Sequence, residues 1–261
     1  MKIVNPLYDK AFKYLMANDK FAKKVLSVIL DVEVEEVTLD QQETIFPDEK
    51  RQLTLFRLDF KAVIKEADGS RKTVLIELQK SKFSTDIQRF RNYLGANYMA
   101  KPKKREDESA MAEYQAAYPI ITIYILGYNM EDLPYMAVTV NREIIDSVSK
   151  ERLNVKSFFV EHLTHQSHII QVRRLPKERR TRLEKFLTLF NQKWISKEAD
   201  YILELEETPE EFADMVEYLR SPLMDESFRR NLEAEEEIDR IFDEQEAKYI
   251  KKNSRSRSSK S

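Results

Sequence analysis

LTLFRLDFKAVIKEADGSRKTVLIELQKSKFSTDIQRFRNY, residues 53–93, is the stretch whose reading decides the fold. Successive side chains of a strand point to opposite faces. From Phe56 to Ile64 one face carries Phe56, Leu58, Phe60, Ala62 and Ile64, and the other Arg57, Asp59, Lys61 and Val63. From Thr73 to Gln79 the apolar face holds Val74, Ile76 and Leu78, while Thr73, Leu75, Glu77 and Gln79 share the other. The pattern predicts a β-hairpin followed by a helix.

The turn sets the register. Ala67-Asp68-Gly69 suits a three-residue loop with Gly69 in the left-handed conformation, so that Glu66 faces Ser70. Counting back along both arms brings Asp59 opposite Glu77 and Arg57 opposite Gln79. A two-residue loop at Asp68-Gly69 would set Asp59 against Leu78, a carboxylate on the apolar face, and is rejected. Opposed strand residues have Cβ atoms about 4.5–5.5 Å apart, so two carboxylates there repel unless something intervenes. A divalent cation with oxygen ligands is the natural remedy.

The chain of 261 residues is 42% hydrophobic, enough for a sizeable core, and 34% charged. A formal net charge of −2 gives no global field for nucleic acid, so any such contact rests on local patches. The absence of cysteine excludes disulfides and thiolate metal sites and fits a reducing compartment. With glycine only at 69, 95 and 127, glycine-rich phosphate loops are excluded. No run of apolar residues is long enough to span a membrane, and no signal peptide is evident, so the expectation is a cytoplasmic protein with no membrane partner.

Asn5-Pro6 predicts the cap and first position of an opening helix with Leu7, Tyr8, Ala11, Phe12 and Leu15 inward, and Asp9 and Lys13 paired four residues apart on the polar side. Asp19 is expected to cap a second helix to about Leu30, buried through Phe21, Val25, Val28 and Ile29. A helix capped by Ser84 or Thr85 runs to Pro102, with Ile87, Phe90, Leu94 and Tyr98 as its core face and Arg89 and Tyr93 on another. Pro119–Leu126 (PIITIYIL), nearly continuously apolar, predicts a central strand covered on both faces. Strands are also expected over Tyr135–Asn141 and His168–Leu175, and Leu153–Glu161 is ambiguous between strand and helix.

Asp59, the hairpin and Glu77-Leu78-Gln79 together resemble the core of the PD-(D/E)XK nuclease superfamily, with Gln in the place of the usual Lys. The Glu-x-Gln form, the helix bearing Arg89 and Tyr93, and the opening Asp9-Lys10-Ala11-Phe12-Lys13-Tyr14-Leu15-Met16 resemble its recombination-promoting nuclease and transposase-associated branch. The likeness covers roughly residues 5–127. It implies a restriction-endonuclease-like α/β fold, a mixed sheet flanked by helices, here with a helical C-terminal appendage. It implies a Mg²⁺- or Mn²⁺-dependent hydrolase of nucleic acid, most readily DNA. The metal would be held by Asp59, Glu77 and the Leu78 carbonyl, with Gln79 orienting the water. Arg89 and Tyr93 would face the cleft, Arg57, Lys61 or Lys80 would supply positive charge, and Asp9 would approach the metal. The competing class is a nuclease fold without chemistry, serving nucleic-acid binding or regulation. A purely structural alternative makes Asp59 and Glu77 polar residues of a solvated sheet face.

The expected organisation is a nuclease-like domain over 1–175, a helical extension over 176–252 and a disordered basic tail over 253–261. Lys177–Ile195 predicts one helix burying Leu183, Phe186, Leu187, Phe190 and Trp194. Its basic start, with Arg173, Arg174, Lys177, Arg179, Arg180 and Arg182, is the candidate patch for a nucleic-acid backbone, against the default of a solvated face. His162, His165 and His168 fit no standard zinc spacing and are expected in a surface loop.

Overall fold

The computed structural model describes residues 1–39, 60–80, 86–99 and 118–258. The chain opens with β1 (Lys2–Val4), α1 (Asp9–Ala17) and α2 (Asp19–Leu30). Pro6 and Leu7 form a turn rather than the first turn of α1: the Asn5 carbonyl accepts from the Tyr8 N–H at 3.0 Å and the Asn5 side chain from the Leu7 N–H at 3.1 Å. The cap expected at Asn5 therefore closes a local turn. The inward residues are as expected, with Leu7, Tyr8, Ala11, Phe12 and Leu15 all buried. For α2 the cap is Asn18, one residue ahead of Asp19, through its side chain to the Phe21 N–H.

Next come β2 (Val34–Leu39), β3 (Phe60–Glu66), β4 (Arg71–Gln79), α3 (Asp86–Met99) and β5 (Ile120–Leu126). Then β6 (Ala137–Val140), the short β7 (Ile144–Ile145) and β8 (Arg152–Leu153), α4 (Phe158–Leu163) and β9 (Gln166–Gln171) follow. The main sheet has six strands in the order β2-β3-β4-β5-β9-β6. The strands β4, β5 and β9 run parallel, and β2, β3 and β6 are joined antiparallel. This is an α/β fold with a mixed sheet. The β3–β4 hairpin has the expected turn: Gly69 takes φ +81° and the Glu66 N–H donates to the Ser70 carbonyl. Its register runs from Lys65↔Arg71 to Phe60↔Ile76, as counted from the loop.

Both faces of the sheet are covered. Val74, Ile76 and Leu78 of β4 and Ile121, Ile123 and Ile125 of β5 belong to one core with α1 and α2, where Phe12 packs edge-on to Phe60 at 5.8 Å. On the opposite face Leu75 and Ile120 pack with Tyr93, and the Phe90 ring lies 4.3 Å from that of Tyr124. The buried stripe of α3 is thus Phe90 and Tyr93. This corrects the expected core face: Ile87 is 64% exposed and Tyr98 is 39% exposed, while Tyr93 is buried. The sheet surface beneath α3 mixes Thr, Leu, Glu and Gln, so an aromatic with a polar tip suits it.

The C-terminal part comprises α5 (Arg182–Leu187), β10 (Ile202–Glu204), α6 (Ala213–Arg220) and α7 (Glu226–Ser258). The single helix expected over Lys177–Ile195 is broken. It starts only at Thr181, where a reciprocal capping box with Glu184 fixes the first turn, and it ends in two 3-10 turns. Phe186, Leu187 and Phe190 are buried as expected. β10 pairs with β1, and Phe186, Phe212, Met215, Leu219 and Leu232 enter the same core as α1 and α2. Asp225 caps α7, accepting from the Ser227 and Phe228 N–H groups. The helical backbone of α7 continues past Lys251 to Ser258, into the stretch assigned to the tail.

The junction of β4 and β5 is tight. A Cβ on Gly127 would meet the Lys80 carbonyl oxygen at 2.8 Å and Leu7 Cδ1 at 3.0 Å. Gly127→Ala is therefore expected to destabilise the fold by about 1–3 kcal/mol in denaturant titration. An unchanged midpoint would show that this junction yields freely.

Candidate functional site

The site is built on the end of β4. Every residue from Thr73 to Gln79 is buried, and Glu77 has no exposed surface. Glu77 pairs with Tyr124 of β5 and Gln79 with Leu126. Burial raises the Tyr124 hydroxyl above its ordinary pKa, and the negative charge of Glu77 adds to the rise, so Tyr124 is a neutral neighbour of the carboxylate. The Tyr128 hydroxyl donates to Gln79 Oε1 at 2.9 Å and so fixes the orientation of that amide. The Gly127 N–H donates to the Gln79 carbonyl, tying the strand ends together. Leu78 turns its side chain into the opposite core. Asp59 and Arg57, expected opposite Glu77 and Gln79, lie outside the described residues.

The other expected site residues fall into a second group. Asp9 pairs with Lys13 at 2.8 Å, the partner anticipated for that spacing, but the pair is half-buried rather than on the open surface. The Lys80 ammonium is held by Glu235 at 2.9 Å and by Asp239, and lies 3.6 Å from the centre of the Tyr8 ring. The Glu235 carboxylate also accepts from the Asp9 N–H at 2.8 Å. Asp9 and Lys80 are thus brought together through α7. Tyr93 supports α3 from the core. The α3 backbone includes Arg89, whose side chain is outside the described residues.

The arginine run is engaged within the chain. Arg173 donates to the Gly127 carbonyl and Arg174 to the Met130 carbonyl. Arg179 pairs with Glu207 at 3.4 Å and is only 10% exposed at its side chain. Arg180 pairs with Glu178 and Arg182 with Glu211, each at 2.6 Å. Arg173, Arg174 and Arg179 thus serve the fold, whereas Arg180 and Arg182 make surface ion pairs with side chains 80% and 54% exposed. Tyr124, Tyr128, Glu235 and Asp239, which sequence reasoning passed over as site residues, complete the clusters. Tyr128 carried a faint signal, a polar aromatic just after the strand-ending Gly127. Glu235, 155 positions beyond Lys80, carried none.

The histidines separate. His162 lies in α4 with its Nδ1 against the Phe158 carbonyl at 2.7 Å, and His165 Nδ1 meets the Tyr98 hydroxyl at 3.0 Å. His168 is not in a surface loop but inside β9, where Nδ1 faces Thr139 Oγ1 at 3.3 Å and Nε2 is buried with no hydrogen-bond partner. It takes this place because it pairs with Ile123 on the core side of the sheet. Among the described residues no group of three His, Asp or Glu side chains is placed to hold a metal. None of the described helices is long and apolar enough to cross a membrane.

Comparison with known proteins returns no match to the chain among family models, curated proteins or solved structures.

Desolvation holds His168 below its ordinary pKa of 6.5. A histidine lowered in the fold binds more protons when unfolded. Its contribution to stability is therefore complete above the unfolded value and lost as pH falls from there towards the folded one. Stability measured by denaturant titration is expected to drop between pH 7 and pH 5.5, and His168→Gln should shrink that drop. An equal drop in the variant would remove His168 as its source.

Proposed function

We propose that this chain is a Mg²⁺- or Mn²⁺-dependent endonuclease hydrolysing phosphodiester bonds in DNA, with Asp59 and Glu77 as its metal-binding carboxylates. The observation that carries the reading is the fully buried carboxylate of Glu77 at the carboxyl end of a parallel strand. Ligands of open α/β sheets bind at the carboxyl ends of the strands, and a buried carboxylate is favoured beside a cation. The hairpin register, which follows the loop count as far as Phe60↔Ile76, supports Asp59 as its partner. The likeness of Asp59 and Glu77-Leu78-Gln79 to the nuclease core supplies the reaction class.

The donors fit a hard cation: carboxylate oxygens and a backbone carbonyl at Leu78, in a chain with no cysteine. When bound, such an ion lowers the pKa of a coordinated water and offsets charge on the phosphoryl oxygens. Glu77 is held by β4, and in this reading Asp59, one position before β3, turns its negative charge towards the same point. Gln79 is neither a cation nor a base at neutral pH. Its amide positions a water, and the Tyr128 hydroxyl holds that amide in place. Positive charge for the phosphate comes from Arg57, from Arg89 on α3 or from Lys61, which shares the Glu77 face.

A second reading, a nuclease fold that binds nucleic acid without cleaving it, is favoured by two observations. Gln79 stands where the family carries Lys, and Lys80 is paired with Glu235 and Asp239.

A nicking assay on supercoiled plasmid separates the two. Glu77→Ala and Glu77→Gln are each expected to lower metal-dependent cleavage by about 100-fold or more, and Gln79→Ala by less. Undiminished cleavage by Glu77→Ala, in preparations free of other nucleases, would remove the site assignment. DNA binding without cleavage in the unmutated protein would select the second reading.

A further inference from the structure

Three donors from two distant parts of the chain converge on one carboxylate. The Asp9 N–H and the Lys80 ammonium both donate to Glu235 Oε1, at 2.8 and 2.9 Å, and the Lys10 N–H donates to Oε2 at 3.3 Å. The residue before α1, Tyr8, provides no side-chain cap, so the positive end of this nine-residue helix is satisfied by an anion from elsewhere. A helix N-terminus joined by a lysine is also how proteins hold phosphate. Lys80 directly follows Gln79 at the carboxyl end of β4, about 10 Å along the chain from Glu77.

The element that supplies the anion is held there by charge. Between Glu233 and Asp239 it carries Glu233, Glu235, Glu236, Glu237 and Asp239 and no basic residue. Leu232 is fully buried, whereas Ile238 and Ile241 are 53% and 46% exposed. Between Glu233 and Asp239 the contacts described include Glu233 with the Tyr201 hydroxyl, Glu235 with α1 and Lys80, and Asp239 with Lys80. The exposed members of this set weaken with salt, while the partly buried Lys80–Glu235 pair is screened less and yields to an anion that takes the place of Glu235.

We propose that Glu235 occupies in cis a site that takes a backbone phosphate of nucleic acid, and that α7 is an autoinhibitory strap which the nucleic acid displaces. The inference rests on the nucleic-acid reading of the site but not on catalysis. The strap is anchored at Leu232. Beyond that point α7 lifts away, exposing Lys80 and the α1 N-terminus together. The same contact explains why Lys80, although next to the candidate site, is paired with carboxylates in the free protein.

The test is fluorescence anisotropy of a labelled DNA duplex with the full chain in chelator, where cleavage plays no part. Glu235→Gln is expected to bind about tenfold more tightly than the parent. Asp239→Asn, which leaves the α1 contact in place, should give a smaller gain. Adding Lys80→Met to Glu235→Gln should abolish the gain. At constant ionic strength, inorganic phosphate should raise the melting temperature of Glu235→Gln more than that of the parent. If Glu235 is only a helix cap, Glu235→Gln melts lower, binds DNA no more tightly and is not rescued by phosphate, and the proposal is overturned. A gain that survives Lys80→Met also overturns it. A gain in binding with no cleavage by any variant sustains the strap and sinks the nuclease, whereas plasmid cleavage without a gain does the reverse.

Discussion

Burying a carboxylate inside a sheet costs several kcal/mol unless a cation or a set of donors compensates it, and β4 does this at Glu77. The surrounding structure is what makes the burial complete. The left-handed Gly69 sets the β3–β4 register and with it which face Glu77 takes. Helix α3 covers that face through Phe90 and Tyr93, and Tyr124 and Tyr128 bring hydroxyls rather than charges to the strand end. On the reverse side α1 and α2 bury the alternating Val74, Ile76 and Leu78. A solvated sheet face, the structural alternative for Glu77, does not describe this strand.

What could be read from the sequence follows the range of the interactions. The hairpin was legible because a three-residue loop with glycine has one register that keeps the apolar residues on one side. The central strand was legible because Ile120–Leu126 is nearly continuously apolar, broken only by the hydroxyls of Thr122 and Tyr124. The inward face of α3 was not, because Phe90 belongs to two overlapping stripes, one with Ile87 and Leu94 and one with Tyr93. The choice lies with Leu75 and Ile120 on the sheet, residues far away along the chain. The break at Thr181 was hidden because the apolar spacing of Leu183–Trp194 continues through 3-10 turns almost as through a helix. For the arginine run, sign and number were visible. Its partners Glu207, Glu211 and the Gly127 carbonyl were not.

The C-terminal part is tied to the beginning of the chain, not hung from its end. β10 completes a ladder with β1, the Met1 ammonium donates to the Leu205 carbonyl, and α6 and Leu232 extend the core that α1 and α2 began. Through this packing the acidic face of α7 arrives beside Lys80. An acidic stretch that composition alone reads as a solvated helix face thereby gains a place next to the candidate site. The same geometry holds Asp9 at the edge of that region through its backbone N–H, while its side chain pairs with Lys13.

The central claim is that Asp59 and Glu77 face each other as ligands for one divalent cation. Thermal melting of the parent and of Asp59→Asn, each in chelator and in excess Mn²⁺, tests it without relying on a substrate. Two opposed carboxylates repel when no metal is present, and a ligand that binds only the folded state stabilises it. The account expects Mn²⁺ to raise the parent's melting temperature. It expects Asp59→Asn to melt above the parent in chelator and to lose most of its response to the metal. A variant that melts lower in chelator, beside a parent indifferent to Mn²⁺, would contradict both the pairing and the metal site.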